Sequence, residues 1–337
     1  MLAGPANQQK ILLDFCEDRP TAMTLADVQD KSLARLEIKP HPVIAEWDAK
    51  AERIETPLTS GGRIVWRKWG KGPPLVFFHG GSGSWTHWIR NIPVMSRDYS
   101  VYAVDLPGMG DSDPFTGKDL DLHAGERSDF RDPLDPAWQP PPIEMAALSR
   151  ILAQALQAMI PREPINLVGF SFGGMTAANV TARIPHRIRR LVLSGAAGLA
   201  PRPPTMPPLA TWRFATNEAE LAEVQRKNVG ILMLHNPDSI DDLAVNIQMR
   251  NGLHTLSRKP PRHFTTIPAL EAAKPRLAAI WGRHDSVSGW KVDEIREKLR
   301  RIDPACDFHI VEDGGHWVAY ERADEFNTVL AGMLRRD

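Results

Sequence analysis

Ser171 stands at the centre of Gly169-Phe170-Ser171-Phe172-Gly173, a serine with a glycine two residues away on each side. A serine hydroxyl is a weak nucleophile until a base takes its proton, so a chemical role demands a setting that exposes the oxygen and a histidine within reach. The setting is legible. Ile165 to Val168 is a short apolar run of buried-strand type, and Met175 to Ile184 follows with a helical pattern. A strand that turns at once into a helix holds the residue at the turn in strained φ/ψ, and glycine neighbours leave room for it. Ser171 would then open the helix with its hydroxyl above the sheet, and the N–H of Phe172 would face an oxyanion forming there. The competing reading is a tight strand-to-helix turn with an incidental serine.

A second stretch weighs against coincidence. His79-Gly80-Gly81-Ser82-Gly83-Ser84 follows the apolar run Leu75 to Phe78, and its glycine backbone offers N–H groups, with Gly81 the expected second oxyanion donor. Glycine loops also cradle phosphates, but no Lys-Ser/Thr closes this one and no Gly-x-Gly-x-x-Gly is present. His79 precedes the loop and reads as a buried structural residue. Of eleven histidines, His316 in Gly314-Gly315-His316-Trp317 emerges after the last strand-like run, at the edge where Ser171 emerges. Asp285, ending Trp281-Gly282-Arg283-His284-Asp285, does so after the preceding run, and ligands of open α/β sheets gather at that edge. Asp105 better suits a turn, Glu312 and Asp313 are too near His316 in sequence, and His284 reads as a loop residue. Trp85, His87, Trp88 and Trp317 lie near the same edge, as an apolar pocket or as ordinary core rings.

These groups need a scaffold. The runs Leu75 to Phe78, Val101 to Val104, Ile165 to Val168, Leu191 to Leu193, Leu277 to Trp281 and Phe308 to Val311 alternate with helical patterns. The clearest of those is Met145, Leu148, Ile151, Leu152, Ala155, Leu156 and Met159. Alternation of this kind predicts an α/β domain with a mostly parallel sheet covered on both faces. The 337 residues divide into an amino-terminal extension (1–55), a first core part (56–196), an inserted helical lid (197–274) and a second core part (275–337). Asn217 with Glu220, and Ser239 with Asp242, read as helix caps within the lid. Residues 113–142 are polar and proline-rich, too long for an ordinary connection. In the extension, Leu12, Leu13, Phe15, Val43, Ile44 and Trp47 supply apolar groups that predict packing on the body or on a second subunit.

Charge excludes several classes. Lys plus Arg and Asp plus Glu each number 41, so no bulk field attracts nucleic acid or an anionic membrane. No apolar run of about 18 residues reads as a membrane span. The two cysteines, Cys16 and Cys306, form neither a disulfide framework nor a metal-ligand spacing, which suits a cytoplasmic protein. A small-molecule partner is expected, with no cofactor and no metal; homo-oligomerisation stays open.

The chain resembles the alpha/beta-hydrolase superfamily from about residue 60 onward. His79-Gly80-Gly81, Asp105-Leu106-Pro107-Gly108-Met109-Gly110-Asp111-Ser112, Gly169-Phe170-Ser171-Phe172-Gly173, Trp281-Gly282-Arg283-His284-Asp285 and Gly315-His316 stand in that family's order. The resemblance implies a serine hydrolase: Ser171 as nucleophile, His316 as base, Asp285 as orienting acid, and the N–H groups of Gly81 and Phe172 as the oxyanion hole. Trp85, Trp88, Phe170 and Trp317 are its candidate substrate pocket. Gly315-His316-Trp317 through Asn327 is similar to the carbon-carbon bond hydrolases of aromatic meta-cleavage pathways. Those enzymes usually carry Asn before the nucleophile and an Arg in the lid, whereas Phe170 stands here and neither Arg250 nor Arg258 can be matched. The leading expectation is hydrolysis of a small apolar or aromatic carboxylic ester. The alternatives are cleavage of a meta-cleavage-type diketone acid, or slow turnover by a ligand-binding receptor on the same fold.

Overall fold

Apolar runs with no polar alternation become the interior of one sheet. β3 (Pro74–Phe78), β5 (Ile165–Phe170) and β7 (Leu277–Gly282) are buried at every position, as parallel strands covered on both faces must be. With β1 (Glu52–Pro57), β2 (Arg63–Trp69), β4 (Ser100–Val104), β6 (Ile188–Ser194) and β8 (Asp307–Val311) they form an eight-stranded sheet of order β1-β2-β4-β3-β5-β6-β7-β8. The β1/β2 and β2/β4 pairs are antiparallel and the others parallel. The structure is a computed structural model and describes residues 36–115, 119, 143–212, 215–255 and 265–336.

Register decides what meets at the sheet edge. Phe78 pairs with Gly169, Gly169 with Leu193, Ser194 with Ile280, and Gly282 with Val311. The carboxyl ends of β3, β5, β6, β7 and β8 are therefore nearly level, and the segments beginning at His79, Ser171, Gly195, Arg283 and Glu312 leave from one edge.

Helices cover both faces. α2 (Ile143–Met159), α3 (Phe172–Arg183), α6 (Thr266–Ala273) and α7 (Val292–Ile302) bury Leu152, Ala177, Leu270 and Ile295 in one core. α1 (Pro42–Ala49) and α8 (Ala323–Arg335) place Ile44, Phe326 and Leu330 in the other, beside the Trp85–Trp88 turn. The described part of the amino-terminal extension thus belongs to the body: Ile44 is buried, and the indole of Trp69 donates to the Trp47 carbonyl at 2.8 Å. Leu12, Leu13 and Phe15 lie outside the described residues, as do 116–118 and 120–142 of the proline-rich stretch. The edge strand β1 escaped the sequence reading because Glu-Arg-Ile-Glu-Thr-Pro carries little apolar signal; only Thr56 of it is buried.

Between β6 and β7 lie α4 (Glu218–Leu232), α5 (Asp242–Leu253) and α6. α6 packs on α3 in the main core and serves as the crossover to β7, so the inserted pair is α4 and α5, which pack on each other. Asn217 caps α4 by accepting the Glu220 N–H at 3.0 Å. The cap of α5 is Asp241 rather than Ser239: Asp241 has the extended backbone a cap needs and accepts the Ala244 N–H at 2.8 Å. Ser239 instead ends a short 3-10 turn, its N–H on the Asn236 carbonyl. Residues 38–41 strap this pair, since Asn246 accepts the His41 N–H at 3.0 Å and donates to the Lys39 carbonyl at 2.9 Å. Ile38 is buried there with Leu221, Val245 and Met249.

Candidate active site

The turn between β5 and α3 is built by steric exclusion. Ser171 sits at φ 52° and ψ −116° as the N-cap of α3. That positive φ is costly for a residue with a side chain. The strain is held by its N–H on the Ser194 carbonyl and its carbonyl on the Ala197 N–H, both at 2.9 Å. A β-carbon at Gly169 would lie 2.5 Å from the Gly173 carbonyl oxygen, and one at Gly173 would lie 2.3 Å from the His79 carbonyl oxygen. Both glycines of the motif are therefore required by close backbone approach.

Three predicted residues come together. His316 Nε2 is 3.0 Å from Ser171 Oγ, and His316 Nδ1 is 2.9 Å from Asp285 Oδ1. The Nδ1 contact has the distance of an ion pair but is out of line for a hydrogen bond, a common state before substrate arrives. His316 and Asp285 are each 4% exposed. Asp285 is oriented by its own turn: Oδ1 accepts the N–H groups of Val287 at 2.8 Å and Ser288 at 3.1 Å, and Oδ2 accepts the Ser288 hydroxyl at 3.2 Å. Ser288 Oγ accepts in turn from the Trp281 indole at 3.0 Å. The His316 turn is tied down by buried Glu321, which accepts the N–H of Gly315 and the N–H of Asn236, each at 2.6 Å. The proton route from Ser171 oxygen to His316 and the buried carboxylate behind it suit nucleophilic chemistry.

The glycine loop comes up beside this group. A β-carbon at Gly81 would lie 3.8 Å from the Phe172 β-carbon, and one at Gly80 would lie 3.3 Å from that of Ser171. Gly81 and Phe172, the two expected oxyanion donors, thus lie side by side. The four pocket candidates are all buried, at 3% exposure or less. Phe170 lies against His316, ring centres 4.9 Å apart. The other three are engaged as packing rings: Trp88 stacks on Phe77 at 4.5 Å, Trp317 on Tyr320 at 4.2 Å, and Trp85 packs on Trp69 at 5.3 Å.

The competing acids and bases fall elsewhere in the fold. Asp105, 1% exposed, accepts from the Trp85 N–H at 2.8 Å and the Asp111 N–H at 3.1 Å, and pairs with Arg67 at 2.9 Å. Burial works against the charge on Arg67, but Asp105, then Asp48, outweigh it and hold the guanidinium protonated. This cluster anchors the far end of the glycine loop. His79 donates to the Gly80 carbonyl and accepts the Leu106 N–H at 2.9 Å, and burial lowers its pKa. Glu312 pairs with Arg283 on the surface, and His284 stacks on His235 at 3.7 Å. Among the described residues no three His, Cys, Asp or Glu side chains gather as metal ligands, and no helix is long and apolar enough to cross a membrane. A cleft between α6 and α7 is lined by residues such as Glu271, Lys274 and Arg301 and includes none of the Ser171 group.

One further group had no sequence signature of its role. His87, fully buried, accepts the Gly80 N–H at Nδ1 (3.2 Å), and its ring meets Phe170 and Trp317. Gln248 and Asn251 of α5 reach the same segment, on His87 and on Ser84.

The sequence profile of the alpha/beta hydrolase fold matches residues 73–227. A 2-hydroxy-6-oxo-6-phenylhexa-2,4-dienoate hydrolase of Comamonas testosteroni is 25% identical over 306 residues, covering 86% of this chain and 96% of the relative. Among solved structures, the carboxylesterase CesB of Bacillus subtilis superposes with a TM-score of 0.64 at 19% identity, over 90% of this chain and 96% of its own. The meta-cleavage product hydrolase CumD of Pseudomonas fluorescens IP01 does so with a TM-score of 0.61 at 20% identity, over 84% of this chain and 97% of its own. With a mostly parallel eight-stranded sheet, a serine at the β5–α3 turn and these likenesses, the chain has the alpha/beta-hydrolase fold.

Proposed function

We propose that the protein is a serine hydrolase that cleaves a small apolar or aromatic carboxylic ester through an acyl-enzyme on Ser171. The observation that carries this reading is the line from Ser171 Oγ to His316 Nε2 at 3.0 Å, with Asp285 Oδ1 2.9 Å from Nδ1. His316 takes the Ser171 proton as Oγ attacks the ester carbonyl, and the N–H groups of Gly81 and Phe172 stabilise the tetrahedral oxyanion. The imidazolium returns its proton to the departing alcohol. Water, deprotonated by His316, then attacks the acyl-enzyme and releases the acid. α4 and α5 act as the lid, where substrate preference resides.

The second reading, carbon-carbon bond hydrolysis, is favoured by the Comamonas testosteroni relative named above. It calls for polar donors beside the nucleophile and a cation for the substrate's acidic end. Phe170 supplies no donor. Arg226 is engaged with Asp242, and Arg250 donates to the Ile38 carbonyl. Arg258 lies outside the described residues. These engagements support the ester. A receptor reading requires that turnover be slow with the same residues in place. A panel of p-nitrophenyl esters of graded acyl length, run beside a meta-cleavage product with Ser171→Ala as control, tests all three. Ester kcat/KM should exceed that for the meta-cleavage product, and the reverse order overturns the assignment. An organophosphonate should add one mass increment, lost in Ser171→Ala; labelling elsewhere with Ser171 untouched refutes the nucleophile.

A further inference from the structure

We propose that His87 is a positioning residue of the oxyanion hole, and the point at which helix α5 acts on that hole; the inference rests on the serine-hydrolase reading. The Gly80–Gly81 peptide is held from behind. Its carbonyl accepts the Nδ1–H of His79 at 2.6 Å, and because a trans peptide points C=O and N–H in opposite directions, this bond aims the Gly81 N–H away from His79. The other end of Gly80 is fixed by His87, whose Nδ1 accepts the Gly80 N–H at 3.2 Å. The α-carbon is pressed from the third side, since a β-carbon there would lie 2.9 Å from the Phe170 ring.

An Nδ1 that accepts a backbone N–H carries no proton, so His87 is neutral with its proton on Nε2. The Gln248 side-chain nitrogen lies 3.4 Å from that nitrogen; with the amide turned over, its oxygen takes that place and accepts the proton. His79 has the opposite tautomer, because its Nε2 accepts the Leu106 N–H. Two neutral histidines thus grip one glycine, and the titratable groups facing His87 are His79 and His316. Burial, with His79 and His316 beside it, keeps His87 from protonating. Gly83 must be glycine for the same packing, as a β-carbon there would lie 2.4 Å from the His87 ring. One helical turn beyond Gln248, Asn251 accepts the Ser84 hydroxyl at 2.7 Å, so one face of α5 holds the whole Ser84–His87 segment. A displacement of α5 by substrate is carried through His87 to the donor at Gly81.

Three variants separate the parts. His87→Asn keeps an acceptor where Nδ1 stands but cannot reach Gln248; His87→Leu keeps neither; His87→Gln keeps the reach without the Nδ1 acceptor. Loss of an oxyanion donor costs about 100- to 1,000-fold in kcat. His87→Leu should lower kcat for a p-nitrophenyl ester by about 30- to 100-fold, with KM changed less than about threefold. It should weaken inhibition by a trifluoromethyl ketone, which needs the hole, by the same factor. His87→Asn should recover kcat to within about fivefold of the wild type. Should His87→Leu not fold, His87→Gln puts the same question. If wild-type protein is labelled by the organophosphonate and turns over ester while the folded leucine or glutamine variant keeps its kcat and inhibitor affinity, His87 does not position the hole. Equal losses in the asparagine and leucine variants also overturn it. Wild-type protein that neither labels nor turns over ester overturns the hydrolase reading instead.

Discussion

Replacing Asp285 with asparagine tests the acid behind His316, and the surroundings determine what the amide will do. Val287 N–H, Ser288 N–H and His316 Nδ1 all face Oδ1, at 2.8, 3.1 and 2.9 Å. Two backbone N–H donors bonded at one position, with His316 Nδ1 beside them, demand an oxygen, so in Asp285→Asn the amide oxygen stays there and the NH2 takes the place of Oδ2. It then meets Ser288 Oγ, 3.2 Å away, which already accepts the Trp281 indole. A hydroxyl oxygen has two lone pairs, so Ser288 can accept both, and the exchange costs about 1 kcal/mol of stability. His316 keeps its proton on Nδ1 and its free Nε2 toward Ser171. What disappears is the negative charge behind the imidazolium. At a charge separation of about 4 Å and an effective dielectric of about 20, that charge contributes about 4 kcal/mol. The expected fall in kcat is therefore about 1,000-fold, short of the roughly 10,000-fold seen where the amide inverts the histidine tautomer. Steady-state ester hydrolysis measures kcat, and urea unfolding confirms that the fold is retained. A kcat within about tenfold of the wild type refutes the electrostatic role of Asp285. It does so most pointedly if Asp105→Asn or Asp313→Asn, in folded protein, is the variant that fails.

Gly173→Ala should destabilise the protein by more than about 3 kcal/mol, since its β-carbon would press on the backbone oxygens of Phe78 and His79 at 2.4 and 2.3 Å. Gly332→Ala in α8, with nothing within 4 Å, should stabilise it by about 0.5–1 kcal/mol; denaturant midpoints moving in the same direction would refute the pair. Removing residues 1–41 should speed amide exchange in α4 and α5 and leave β3, β5 and β7 protected, because residues 38–41 bind Asn246 and fill the Ile38 socket; a uniform change would contradict the strap. His79 and His87 have pKa values lowered on folding, chiefly by burial, from an ordinary 6.5. Their stabilising effect is complete above that value and drains as pH falls below it, by up to about 1.4 kcal/mol per pH unit for each group, as the unfolded chain takes up protons that the folded chain refuses. Urea midpoints that hold constant from pH 7.5 to 5 would rule this out; a shallower slope in His87→Asn is the expected companion result.

The sequence made the sheet edge legible because its determinants are local. β3, β5 and β7 are unbroken apolar runs, and the glycines at 169 and 173 mark a turn that only close backbone approach explains. Once β5, β6, β7 and β8 are parallel neighbours in near-level register, Ser171, Asp285 and His316 have to arrive together, so their juxtaposition follows from topology. The amphipathic edge was harder to see: β1 alternates charge with little apolar signal, and its place is set by pairing with β2. The cap at Asp241 was missed because Ser239 and Asp241 are both good capping residues, and the choice is made by a 3-10 turn that consumes the serine N–H.

The polar contacts between insertion and body were illegible for a different reason. Gln248 to His87 spans 161 residues and Asn251 to Ser84 spans 167, and a lone glutamine, asparagine or histidine has no periodicity to betray a partner. Yet these contacts are what a hydrophobic interface alone would not provide. An apolar seam between α5 and the body tolerates small slides, whereas a hydrogen bond weakens steeply once its alignment is lost. Arg90 with Asp241, and Tyr320 with Asp241, add the same restraint at the start of α5. Burial, then the bond to Asp241, raises the Tyr320 pKa, so its hydroxyl stays a donor throughout the neutral range. The helix is thus indexed at both ends: at its cap by Arg90 and Tyr320, and toward its last turn by Ser84 and His87. An insertion fixed in this way can bear on the donor geometry of the glycine loop, while the strands beneath bear on the position of the nucleophile.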